Sequence, residues 1–380
     1  MQKQNKSTNL YSQEKIDFTH EPMFLGKGKN TQRFDVLKYK FFDDRNTRMQ
    51  GFDWSFDEVK LNNDYIDFNT KMKPHEQFMY TRVLQKLIFL DSLQGRGILL
   101  TLGQICTLPE LENAMLTWQY FEGAKHSKTY TENLKGVYNN PSEIFDESFE
   151  LPELMNLADK ISRPYNEAYE LIIEMQYHII KNLVLTPEFM TKLKRAVIKL
   201  IITINILEGV RFYSGFATIW ALNKSQGYVE GTSKNLKLIC RDENIHLQLT
   251  QMIIKLLKKE EQEGFTKIYR DMEPEIIQMY RDCYDEECEW IDYKFSQGSI
   301  LGLNDEISKQ YIEYIINKRL RSIGLPIMFQ GRSTNPIPWV EKYIEFSDNE
   351  VLPQETEIVN YISGGVNNDD SLDLNNIDIG

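Results

Sequence analysis

Five histidines stand in the 380-residue chain, His20, His75, His126, His178 and His246, and three of them follow a glutamate at helical spacing. The pairs are Glu122-x-x-x-His126, Glu174-x-x-x-His178 and Glu243-x-x-His246. Residues three or four apart share one helix face, so each pair presents a carboxylate and an imidazole to one point. A charged helix produces such neighbours by chance, and one pair alone says little. Two of the pairs have more behind them. Asp91 precedes Glu122 inside the apolar run LIFLDSLQGRG, and Glu208 precedes Glu243 at the edge of IITINILEGVRFY. Burying an ionised carboxylate without a partner costs several kcal/mol, so an acid on an apolar helix asks for a cation. The plainer readings are that Asp91 faces solvent and that Glu208 pairs with Arg211. They must hold twice, because in both cases the acid comes about 31–35 residues before a Glu/His pair. His178 has no such acid and is read as a surface or core histidine.

Charge points the same way. Asp91, Glu122, Glu208 and Glu243 supply −4, which two divalent ions would balance, with neutral His126 and His246 completing a six-residue set. Oxygen ligands with imidazole suit iron or manganese. The four cysteines, Cys106, Cys240, Cys283 and Cys288, form no CxxC pair and supply neither a structural zinc site nor an iron–sulfur cluster. Such cysteine usage fits a reducing cytosol, and the cytoplasm is the expected location. A net charge of −12 with no basic block is wrong for sequence-independent nucleic-acid binding. The most apolar run, Ala196 to Leu207, is interrupted by Lys199, Thr203 and Asn205 and falls short of a bilayer span. The first residues, MQKQNKSTNLYSQEK, carry no apolar signal segment.

These side chains need long helices to carry them, and the sequence supplies the pattern. Apolar residues recur at three- and four-residue intervals from Lys73 to Leu100. Thr107-Leu-Pro-Glu110 reads as an N-cap, an early proline and a capping-box acid opening a helix to about Leu134. Further helical patterns cover roughly 150–180, 187–222, 233–262, 273–297 and 305–323, with loops at 139–141 and 225–227 and a short hairpin near 298–304. The expected fold is all-α, a bundle of long antiparallel helices. The expected organisation is an N-terminal extension over 1–30, a helical di-metal domain over 31–347 and an acidic, Asn-rich flexible tail over 348–380. Two helices that each give an acid and two that each give a Glu/His pair form the arrangement known from ferritin-like di-metal bundles.

With those residues in place, the chain resembles the small, radical-generating subunit of class I ribonucleotide reductase. The resemblance spans roughly Glu21 to Leu257. It is carried by EPMFLGKG, LDSLQGRG, LPELENAMLTWQYFE, HSKTYT, NILEGVRFYSGFA and RDENIHL. It implies that Asp91, Glu122, His126, Glu208, Glu243 and His246 bind two metal ions, Fe/Fe first, with Mn/Fe or Mn/Mn as alternatives. It further implies that Tyr130 becomes a stable tyrosyl radical after oxygen activation, in an apolar pocket lined by Phe212, Phe216 and Ile239. Trp54, in GFDWSFDEV, matches the family's near-surface tryptophan, and Asp242 its hydrogen-bonded neighbour beside the metal. Tyr361 in the tail matches a radical relay to the large catalytic subunit, with Glu355 as its acidic companion. A homodimer of small subunits is implied as well. Without the resemblance, Tyr130 reads as a core aromatic, Trp54 as a packing residue, Asp242 as a solvated helix acid and Tyr361 as an ordinary tail residue.

The chain departs from the family in one place that matters. The family's first pair is spaced Glu-x-x-His, whereas Glu122-Gly-Ala-Lys-His126 is one residue longer. At about 100° per residue, a regular helix would turn Tyr130 from about −20° to about +80° relative to Glu122. Keeping both His126 and Tyr130 at the metals predicts a widened, i→i+5 turn within about residues 120–128, eased by Gly123. The terminus, LNNIDIG, also lacks the family's aromatic ending, leaving Leu374, Ile377 and Ile379 as apolar docking candidates. Three functions compete: oxygen-dependent radical generation for ribonucleotide reduction, a stand-alone di-metal oxidase or oxygenase, and a metal-storage bundle. The first needs Tyr130, Trp54 and Tyr361. The second needs the metals and an open substrate pocket, and the third needs no tyrosine beside the metals.

Overall fold

The structure is a computed structural model that describes residues 11–259 and 263–344. Tyr361, Glu355, Leu374, Ile377 and Ile379 lie outside the described residues. The helices run in the order α1 (Lys40–Gly51), α2 (Asn62–Ile66), α3 (Pro74–Leu100), α4 (Leu102–Ile105), α5 (Pro109–Tyr120) and α6 (Ser127–Val137). They continue through α7 (Pro141–Ser148), α8 (Pro152–Ile180), α9 (Pro187–Ile206), α10 (Phe212–Gln226), α11 (Glu230–Leu257), α12 (Phe265–Lys294), α13 (Asp305–Ser322) and α14 (Glu341–Ile344). Among the described residues no helix is long and apolar enough to cross a membrane. The hairpin expected near 298–304 is only an isolated bridge between Ile300 and Leu303.

Local chemistry sets the helix ends. Pro74 opens α3 with its fixed φ, while Glu76 accepts from the Lys73 N–H at 2.8 Å. Thr186 Oγ1 accepts from the Phe189 N–H at 3.2 Å at the start of α9, and Asn304 Oδ1 does the same for Ile307 at 2.8 Å before α13. Gly227 closes α10 in the left-handed region at φ 72°. The expected cap at Thr107 is not made. Leu108 occupies the cap position, and Thr107 Oγ1 instead accepts from the Gly26 N–H at 3.0 Å. Glu110 likewise turns to the N–H groups of Lys38 and Tyr39, at 3.1 and 3.0 Å, so both side chains hold the N-terminal segment rather than their own helix. Pro141, read as part of a loop, is the first residue of α7, and α12 starts at Phe265, earlier than its apolar period indicated.

Three widened turns interrupt the α-helical bonding, at Asp67–Lys71, Phe121–His126 and Leu207–Arg211. The second is the one required by the extra residue. The Ser127 N–H bonds the Glu122 carbonyl, an i→i+5 link, and Glu122, His126 and Tyr130 all remain fully buried. The third, around Glu208, gave no spacing signal in the mostly apolar run IITINIL. In the core, α3 lies against α5, α6 and α10, and α9 lies against α8, α11 and α12. One contact brings α3 and the widened turn after α5 close together. A Cβ on Gly95 of α3 would come within 2.7 Å of the Gly123 Cα, so the two backbones touch directly where Asp91 and Glu122 converge.

Candidate metal centre

α3 supplies Asp91, the widened turn after α5 supplies Glu122 and His126, the turn after α9 supplies Glu208, and α11 supplies Glu243 and His246. All six are completely buried. They fall into two overlapping groups, Asp91/Glu122/His126/Glu243 and Glu122/Glu208/Glu243/His246. Within each group the candidate ligand atoms lie within 4.8 Å of one another. Glu122 and Glu243 belong to both groups, so ions held by the two groups would share them.

Both imidazoles turn Nδ1 inward. His246 Nδ1 lies 2.9 Å from Glu122 Oε1, 2.9 Å from Glu243 Oε2 and 3.8 Å from Glu208 Oε2. His126 Nδ1 lies 3.1 Å from Glu243 Oε1, 3.4 Å from Glu122 Oε2 and 3.9 Å from Asp91 Oδ2. Both Asp91 oxygens, Glu122 Oε2, Glu208 Oε2, Glu243 Oε1 and His126 Nδ1 are buried with no hydrogen-bond partner among the described residues. So many orphaned acceptors at one point are costly unless a cation meets them, and oxygen plus imidazole is the donor set of iron or manganese. The residues fit a pair of such ions.

The surroundings orient the ligands. The Trp118 indole N–H lies 2.8 Å from Glu122 Oε1 and 3.2 Å from Glu208 Oε1, and its ring stacks on His246 at a 5.3 Å centroid distance. Gln94 donates to Glu208 at 2.6 Å and accepts from the Tyr165 hydroxyl. These three were not singled out in the sequence, because tryptophan, glutamine and tyrosine on a helix carry no ligand-like spacing. On the other side, Asp242 Oδ2 lies 3.2 Å from His126 Nε2 and accepts from the Trp54 indole N–H at 2.7 Å. The Trp54 ring stacks on His126 at 6.3 Å. Asp242 is therefore not a solvated acid, and Trp54 is buried at 3% exposure. Arg211 does not neutralise Glu208; it pairs with Glu286 and, at 3.1 Å, with Glu287. His178 stays outside the centre, with Nδ1 3.2 Å from the Val184 carbonyl.

Tyr130 is fully buried, and its hydroxyl has no hydrogen-bond partner among the described residues. Burial, followed by the negative charges of Asp91, Glu243 and Glu122, pushes its pKa well above that of ordinary phenols. Phe212, Phe216 and Ile239 are also completely buried, with the two phenylalanine rings stacked at 6.1 Å.

Without metal the cluster holds protons instead. Burial, reinforced by neighbouring carboxylates, raises Asp91 and Glu243 well above the carboxylate range. Burial opposes a charge on His246, but Glu122 and Glu208 outweigh it and lift the imidazole to about 9. Metal binding needs all these groups deprotonated, so loading two ions should release protons, and affinity should rise with pH. Calorimetry in buffers of different ionisation enthalpy reads this directly. A binding heat independent of buffer would contradict it.

A ferritin-like bundle with paired carboxylate/histidine groups defines a di-metal carboxylate protein. Comparison with known proteins narrows that class. The family model described as "Ribonucleotide reductase, small chain" matches residues 33–336. The chain is 35% identical over 365 residues to ribonucleoside-diphosphate reductase subunit beta of Buchnera aphidicola subsp. Baizongia pistaciae, covering 94% of this chain and 96% of that protein. It is 33% identical over 376 residues to ribonucleoside-diphosphate reductase 1 subunit beta of Escherichia coli O157:H7, covering 97% and 99%. Among solved structures, the ribonucleotide reductase R2 subunit from Clostridium botulinum superposes with a TM-score of 0.74 at 29% identity, covering 86% of this chain and 95% of that one. The chain belongs to the small-chain family of ribonucleotide reductase. Radical generation is general to that family.

Proposed function

We infer that this chain is the radical-generating subunit of a ribonucleoside-diphosphate reductase. Asp91, Glu122, His126, Glu208, Glu243 and His246 hold two metal ions, and Tyr130 stores the oxidising equivalent. The observation that carries this reading is the junction of two ligand groups at Glu122 and Glu243 beside a buried tyrosine without a hydrogen-bond partner. Iron in both positions is the first reading, with manganese in one or both as the alternatives that the same donor set accepts. The metal pair supplies the oxidation of Tyr130 by dioxygen. Around it, Trp118 and Gln94 hold the carboxylates in place, and Asp242 fixes the outer nitrogen of His126. Asp242 also bonds the Trp54 indole, which supports Trp54 as the path by which electrons enter. The dry pocket protects the Tyr130 radical from quenching.

The partner is a large catalytic subunit, where ribonucleotides are reduced, and the small subunit acts as a homodimer in the cytoplasm. Tyr361, on the 348–380 tail, relays the radical between the two. A chain truncated after Pro353 should fold and bind two metals normally, yet lose at least about 100-fold in turnover with the large subunit, because the relay tyrosine is gone. Full activity of the truncated chain in the reconstituted pair would remove the tail and Tyr361 from the mechanism.

A further inference from the structure

The residue that lengthens the first Glu/His pair brings a charge as well as a turn. Lys125 sits in the widened turn immediately before His126, and its side chain is only 10% exposed. Its ammonium bonds the Trp54 carbonyl and pairs with the Asp53 carboxylate. It also lies 5.9 Å from the Trp54 ring centroid, 5.4 Å from that of Tyr120 and 5.6 Å from that of Phe121. Trp54 in turn joins this lysine to the His126–Asp242 pair through its indole N–H and its stack on His126.

We propose that Lys125 is a positioning residue that holds Trp54 in its stack on His126 and restrains the oxidation of its indole. This rests on the reading of Trp54 as the electron entry path. A neutral indole attracts a nearby cation through its ring quadrupole, whereas an indole radical cation repels it, so the contact changes sign when the ring loses an electron. Asp242 acts in the opposite sense. Its carboxylate accepts from the indole N–H at 2.7 Å and stabilises positive charge on the ring. Other charges nearby include Asp53, which offsets Lys125, and Arg241, which lies 3.4 Å from Asp242 Oδ1 and donates to the Phe52 carbonyl at 2.8 Å. Trp54 thus stands between one carboxylate that eases its oxidation and one ammonium that opposes it.

The step itself balances simply. A metal pair held by the six residues and oxidised by dioxygen would be the one-electron acceptor; Trp54 would give up one electron, and its indole would keep its proton on the bond to Asp242. A one-electron reductant such as ascorbate then returns the electron to Trp54.

Two substitutions break the same ion pair and separate charge from scaffolding. Lys125→Met removes the ammonium and keeps an apolar chain of similar length, and Asp53→Asn leaves the ammonium uncompensated. A purely structural role for the pair predicts that both variants loosen the Trp54 loop and shift its behaviour in one direction. The charge effect predicts opposite directions. After mixing reduced, metal-loaded protein with oxygen, the tryptophan radical cation should form about tenfold faster in Lys125→Met, about threefold slower in Asp53→Asn, and near the native rate in Lys125→Arg. In the metal-free protein, Trp54 fluorescence, isolated as the difference from Trp54→Phe, should shift in opposite directions in Lys125→Met and Asp53→Asn. Shifts in one direction, or none, would overturn the role of Lys125. A radical transient that persists in Trp54→Phe would instead overturn the reading of Trp54, and the inference with it.

Discussion

Replacing Glu243 with glutamine should empty both metal positions, whereas replacing Glu208 with alanine should empty one. The difference follows from membership. Glu243 belongs to both ligand groups, but Glu208 only to the group that contains His246. Losing a shared carboxylate removes a ligand from each ion and one of the four negative charges that balance the pair, so affinity should fall by about 100-fold or more at both positions. Losing Glu208 leaves Asp91, Glu122, His126 and Glu243 intact as a complete group. Both variants should keep the helical fold, because burial and neighbouring carboxylates already oppose the charged forms of Glu243 and Glu208 in the metal-free cluster, so neither charge holds the fold together. Metal analysis of the purified, reloaded variants decides the matter. Two ions per chain in the Glu243 variant would show that the glutamate does not link the positions, and two in the Glu208 variant would remove Glu208 from the centre.

Tyr130→Phe should leave two metals bound and abolish nucleotide reduction with the large subunit, a loss of at least about 10⁴-fold. The substitution deletes one hydroxyl that has no hydrogen-bond partner among the described residues, so it leaves no broken bond behind. Stability should be unchanged or slightly improved, as expected when a buried, unsatisfied polar group is replaced by hydrogen. Thermal unfolding of the metal-free variant checks that half of the prediction, and turnover in the reconstituted pair checks the other. Native-like turnover would move the radical to another residue.

The buried carboxylate/histidine cluster was legible because its side chains are few in kind and helices repeat. With five histidines in the chain, two carboxylate/histidine pairs that each follow an acid on an apolar run pointed to one site. The widened turn at Phe121–His126 was legible for a related reason. One extra residue between fixed partners must be absorbed where it occurs, and a helix absorbs it as an i→i+5 link. The similar turn at Leu207–Arg211 was not legible, since no extra residue between fixed partners marks a change of hydrogen-bond register there. Thr107 and Glu110 misled for a physical reason. Their cap-like spacing is real, but both side chains satisfy the backbone of the N-terminal segment instead. Trp118 and Gln94 were hidden because their role depends on which neighbours the bundle brings near. The assignments of Tyr361 and Glu355 concern residues outside those described.

The most direct test of the account is the electron paramagnetic resonance spectrum of the metal-loaded, oxygen-exposed chain grown with ring-deuterated tyrosine. The account predicts an organic radical signal whose hyperfine structure collapses on deuteration and that is missing in Tyr130→Phe. A fully metal-loaded chain that gives no such radical, or one whose spectrum ignores tyrosine deuteration, would contradict it.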